Sequence, residues 1–139
     1  GFLDNSELWK GKGDVSAKVV GNVFFRDKTQ FPLSFSADKK AGKLDYRGYK
    51  LINRYPEFHY TINGIDVYEL ILPKADGKGL NRTFRIPNVK STVWFNTDQS
   101  DGVKYEALKG SWEGNRLKLT SKEAREFCII MSIKEGGLL

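Results

Sequence analysis

The segment PEFHYTINGIDVYELIL, residues 56–72, decides the fold. Two runs of alternating apolar and polar residues flank Asn63-Gly64. Asn-Gly suits a two-residue type I′ turn because both central residues need positive φ, which these two tolerate best. A β-hairpin follows, with Ile62 opposite Ile65, Tyr60 opposite Val67 and Phe58 opposite Glu69. One face then carries five apolar side chains and the Glu69 carboxylate. The other carries Glu57, His59, Thr61, Asp66, Tyr68 and Leu70, a mixed surface open to solvent or to a partner.

Outward from the hairpin, strand signals recur over residues 19–26, 31–36, 44–52, 82–86, 92–97, 103–108, 116–120 and 127–133, each rich in β-branched or aromatic side chains. Turn clusters separate them, among them Ala41-Gly42, Asn53-Arg54-Tyr55-Pro56, Asp76-Gly77-Lys78-Gly79, Ser100-Asp101-Gly102 and Glu113-Gly114-Asn115. No window sustains a 3.6-residue apolar period. The one helical candidate is SKEARE, residues 121–126, a single turn with Ser121 placed to cap it. Internal repeats are absent, which removes blade and solenoid architectures. The expectation is an all-β chain, an antiparallel β-sandwich of about ten strands with at most one short helical turn. A closed β-barrel is the alternative.

At 139 residues the chain is expected to form one domain, 1–139, large enough to bury a core without staples. No run approaches the roughly 20 apolar residues of a spanning helix, so no membrane span is expected. The opening GFLDNSELWKGKG lacks a signal-peptide pattern, and a chain running from Gly1 to a terminal GGLL reads as part of a longer protein. The formal charge of +6 is spread along the chain. Its densest group, Lys39, Lys40 and Lys43, sits in a turn flanked by Asp38 and Asp45 and reads as a solvated loop. With no helix-turn-helix, zinc-finger or ribonucleoprotein motif, no nucleic-acid partner is expected. The single cysteine, Cys128, excludes an internal disulfide and a cysteine-rich zinc site; within EFCIIMSI it reads as a small core residue.

Alternation also points to one ion pair. Arg82 shares a face of NRTFRIP with Phe84 and Ile86, and Glu69 lies on the apolar side of the hairpin. A carboxylate in an apolar layer is costly unless paired, so Glu69 and Arg82 are expected to meet at the core edge as a structural pair.

Catalytic and cofactor motifs are missing. His59 is the only imidazole, and no nucleophile elbow accompanies it. Copper held by His59, Cys128 and Met131 would lack the usual second histidine, and haem on His59 and Met131 would lack a Cys-x-x-Cys-His attachment sequence. No metal, cofactor or catalytic residue is therefore assigned. Two carboxylates across a cleft would suffice for glycoside hydrolysis, and Glu57 with Asp66 or Asp45 with Glu69 are the pairs available. Aromatic rings beside polar groups can instead form a sugar platform. Tyr55 at the hairpin entrance, His59 and Tyr68 facing each other across it, and Trp112 between two glycines are the ligand-binding candidates. Trp94, in TVWFN, is expected to be buried.

From residue 44 to 86 the chain resembles a β-rich domain of unassigned function found in large bacterial periplasmic proteins that carry a cytochrome c module and often a sugar-dehydrogenase-like propeller. The resemblance rests on Tyr46-Arg47-Gly48-Tyr49, Phe58, Tyr60, Gly64, Val67, Glu69 and Arg82-Thr83-Phe84, with Phe2-Leu3-Asp4 and Trp9 upstream. It implies an accessory sandwich beside a redox or carbohydrate-processing module, in the periplasm or outside the cell. The chain lacks the haem-attachment sequence of those larger proteins, so electron transfer is not carried over. The functional expectation is a non-catalytic accessory module that binds carbohydrate or docks to a neighbouring domain. A two-carboxylate, glycoside hydrolase-like enzyme and an anion-binding protein are the alternatives.

Overall fold

The computed structural model describes residues 32–35, 43–97 and 102–133. The strand expected over 19–26, the two end residues of that expected over 31–36, and Trp9, Lys39 and Lys40 lie outside the described residues. In chain order the elements are β1 (Leu33–Ser34), β2 (Leu44–Ile52), β3 (Tyr55–Ile62), β4 (Ile65–Pro73), β5 (Gly79–Arg85), β6 (Val93–Asn96), β7 (Val103–Ala107), β8 (Ser111–Glu113), β9 (Arg116–Leu119), α1 (Ser121–Ala124) and β10 (Glu126–Ile133). They form two antiparallel sheets, one of four strands in the order β1-β6-β9-β8 and one of six in the order β2-β3-β4-β5-β10-β7. The fold is thus a β-sandwich, and the barrel alternative is set aside because the described strands pair into two separate sheets.

The central hairpin has the register its sequence implies, with Ile62 against Ile65, Tyr60 against Val67 and Phe58 against Glu69. Asn63 and Gly64 take φ of 52° and 80°. The preceding hairpin turns on Asn53 and Arg54, both also at positive φ, so Tyr55 and Pro56 belong to β3 and not to the turn. Strand β8 was not expected at all, and Ser121 is not the helix cap. Thr120 takes that role in extended backbone, one residue earlier.

Inward-facing residues align in rungs across the large sheet. Phe58, Glu69, Phe84 and Phe127 form one rung, with Ile71, Arg82 and Ile129 on the next. Phe84 stacks on Phe127 with centroids 5.1 Å apart and meets Phe95 of the small sheet edge-on at 5.8 Å. Phe95 also approaches Tyr105 of β7. The two sheets are therefore joined through aromatic contacts at buried positions, where each ring removes 150–250 Å² or so from water.

Helix α1 is too short to persist by propensity alone and depends on a capping box. The Glu123 amide donates to Thr120 Oγ1, while Glu123 Oε1 accepts from the Thr120 amide at 2.9 Å. The Thr120 amide, ahead of the Thr120 hydroxyl and the Gly110 amide, holds the Glu123 carboxyl below its ordinary value. Thr120→Ala is expected to lower stability by about 1 kcal/mol. A carboxyl depressed in the folded state contributes above its unfolded pKa, and that contribution fades as pH falls through the folded value. The gap between wild type and Glu123→Gln should accordingly be widest above about pH 5 and close toward pH 3. Urea midpoints of the three proteins at the two pH values measure both effects; a Glu123→Gln gap independent of pH would contradict the assigned role.

Candidate functional site

Two surfaces of the large sheet carry functional side chains. On its outer face, the rung Gly48, His59, Tyr68, Arg85 and Glu126 runs across β2, β3, β4, β5 and β10. His59 stacks on Tyr68 at 4.5 Å with only 13° between ring planes, and the Arg85 guanidinium lies 4.6 Å from the Tyr68 centroid. Because His59 and Arg85 come from the strands on either side of β4, the Tyr68 ring stands between them with both faces occupied. Charged groups close the ladder. His59 Nε2 and Asp66 Oδ1 are 2.7 Å apart, Arg85 donates to the buried Glu57 at 3.2 Å, and Lys50 approaches Glu57 at 3.9 Å.

Of the four residues expected to bind a ligand, the fold brings His59 and Tyr68 together. Tyr55 starts β3 and packs, half-buried, against the core cluster. Trp112 is 39% exposed but lies on β8, an edge of the other sheet, on the rung of the core residue Leu117. These four do not form one patch.

Glu69 and Arg82 do meet, as the alternation implied. They sit diagonally across β4 and β5, and Arg82 Nε donates to Glu69 Oε2 at 2.5 Å with both side chains buried. The guanidinium also lies over Phe84 and Phe95 and within 3.9 Å of the Met131 sulfur. The pair stands inside the sandwich, between the layers and away from solvent, which suits a structural role.

The same geometry dismantles several chemical options. Met131 faces the core, whereas His59 and Cys128 are on the outer face, so the copper and haem sets are split by the sheet. Cys128 is half-exposed on the rung of Thr83 and not a core residue, because Phe127, Ile129 and Met131 take the inward positions of β10. Asp45 pairs with Thr61 on the outer face, opposite to the side that holds Glu69. Glu57 and Asp66 share that outer face but are four residues apart along the β3–β4 ladder, roughly 13 Å from the strand rise, wider than the roughly 5–9.5 Å of glycosidase carboxylates. Both already have cationic or imidazole partners.

A second surface, not anticipated from the sequence, lies on β2. Leu44, Tyr46, Tyr49 and Leu51 pair with Ile62, Tyr60, Phe58 and Pro56 and so point to the core side of the sheet. They are nevertheless 38%, 43%, 47% and 51% exposed, four of the six large hydrophobic residues exposed among those described. Burial and the neighbouring Tyr49 hold the Tyr46 phenol above its ordinary value. Tyr46 and Tyr49 tilt against Tyr60 and Phe58 at 5.9 Å, which makes the exposed strip continuous with the core. The signal was in LDYRGYKLI: the apolar positions shift register between Tyr46 and Tyr49, as a β-bulge requires, and the bulge falls between Tyr46 and Gly48.

The fold and these surfaces define an antiparallel β-sandwich with one apolar edge strand. Compared with known proteins, the chain matches no family model, no curated protein and no solved structure. Among the described residues no helix is long and apolar enough to cross a membrane.

Proposed function

We propose that the chain is a non-catalytic accessory module that docks to another polypeptide through the core-side face of β2. The observation that carries this reading is the concentration of exposed Leu44, Tyr46, Tyr49 and Leu51 on one strand. Contiguous apolar surface of this kind marks interaction sites in soluble proteins. Carbohydrate stacking on the outer face is the weaker option, since Tyr68 lies between His59 and Arg85 and offers no bare ring face to a pyranose. In this reading the neighbour is a redox or carbohydrate-processing domain of an exported protein, the setting implied by the resemblance over residues 44–86.

Parallel screens against displayed peptides and arrayed glycans test the proposal. Peptide ligands are expected, with affinity reduced at least tenfold in Leu51→Lys and unchanged in Tyr68→Ala. Ligands confined to glycans and lost in Tyr68→Ala would replace docking with carbohydrate binding. Affinity that collapses with added salt yet ignores Leu51→Lys would point to general anion binding.

A further inference from the structure

We infer that the docked segment is an extended strand that joins the outer edge of β2, unpaired among the described residues, and alternates apolar with acidic residues. This rests on the docking reading and deepens it. Strand β2 ends the six-stranded sheet and pairs only with β3 among the described residues. The two-residue turns fix which backbone groups look outward. In such a hairpin the residues flanking the turn exchange both hydrogen bonds, and bonding then alternates along the ladder. Ile52 opposite Tyr55 flanks the turn, so Ile52, Lys50 and Gly48 bond to β3 while Leu51 and Tyr49 direct their N–H and C=O groups to the open edge. Beyond the bulge the same direction falls to Leu44, because Ile62, its partner, bonds to Ile65 across the Asn63-Gly64 turn.

Edge groups and apolar side chains therefore belong to the same residues. A strand added at this edge would satisfy the open amides and carbonyls of Tyr49 and Leu51 and lay alternate side chains against Leu44, Tyr49 and Leu51. Main-chain bonds supply affinity in this mode and alternate side chains supply selectivity.

Charge selects the partner. Lys43, Arg47, Lys50 and Arg54 are all exposed along β2 and its two ends, against Asp45 as the one carboxylate in residues 43–54. Acidic side chains on the outward positions of the added strand would meet these cations. A second copy of β2, paired edge to edge, would set the same cations against one another, and like charges opposite each other destabilise a sheet. The bulge and the lysine thus disfavour self-pairing while leaving the edge open to an acidic strand.

A blocked ten-residue peptide alternating glutamate with valine and leucine is the probe, followed by fluorescence anisotropy and by amide hydrogen exchange of the labelled protein. Binding should slow exchange at Tyr49 and Leu51, weaken at least tenfold in Arg47→Glu/Lys50→Glu, and vanish when alternate peptide nitrogens are methylated. Equal binding by the methylated peptide, or by one of the same composition with a helical apolar period, would overturn strand addition. Sedimentation showing a dimer dissolved by Leu51→Lys would assign the edge to a second copy instead. Display ligands that depend on Leu51 but lack acidic alternation reject this inference and leave docking standing; the absence of any Leu51-dependent ligand rejects both.

Discussion

Arg82→Met is expected to cost the fold about 3–5 kcal/mol, read from urea denaturation. Glu69 is fully buried on the rung of Phe58 and Phe84, and among the described residues its Oε1 has no hydrogen-bond partner. Its Oε2 accepts from Arg82. Methionine matches the arginine stem in length and retains contact with the aromatic wall, so the loss comes from stranding a carboxylate in a layer that cannot solvate it. The control is the double variant Glu69→Leu/Arg82→Met. Replacing both partners of a buried pair by well-packed apolar residues is often neutral or better, so the double variant should regain most of the stability lost by the single one. A double variant as unstable as the single would mean that Arg82 matters through its stacking on Phe84 and Phe95 and not through its charge.

That pair was legible because period-two alternation transmits the side of a sheet along each strand without knowledge of the partner strand. Glu69 shares its parity with Ile65 and Val67, and Arg82 shares its own with Phe84; two inward-facing charges of opposite sign on apolar faces have few alternatives to meeting. The same rule set the hairpin register. Apolar content read without parity misleads. In EFCIIMSI the parity of Phe127, Ile129 and Met131 is wholly apolar whereas Cys128 shares its parity with Glu126 and Ser132, and the assignment of Cys128 to the core was wrong because the wholly apolar parity faces inward. Strand β8 is three residues between Gly110 and Gly114, too short to show any period. Trp94 is buried as expected, yet on the outer face of the small sheet, where Arg116 at 4.3 Å and Lys118 at 5.5 Å lie over its ring.

The candidate sites were less legible than the fold because coverage is a tertiary property. Alternation within β2 says which side chains face the core side; it does not say that a six-stranded layer opposes a four-stranded one and leaves an edge strand exposed. The occupied faces of Tyr68 had a similar origin. His59 was visible across the hairpin, but Arg85 arrives from β5, whose place beside β4 no local pattern encodes.

Phe84→Ala is expected to destabilise the protein by about 3–5 kcal/mol, and its comparison with Tyr49→Ala bears directly on the docking surface. Phe84 is fully buried, stacks on Phe127, meets Phe95 of the opposite sheet and lies beneath Arg82. Truncation removes the transfer energy of the ring and leaves a cavity at the junction of the two layers, where neither sheet can collapse without losing its own register. Tyr49 belongs to the same side of the same sheet and touches Phe58, so sheet position alone would assign it a similar value. Its ring is nearly half exposed, however, and Tyr49→Ala should cost no more than about 1 kcal/mol because little apolar surface returns to water and no cavity forms. Paired urea midpoints decide the matter. Similar losses in the two variants would place the β2 face within the cooperative core, and an apolar strip that the fold already uses would no longer be available to a partner.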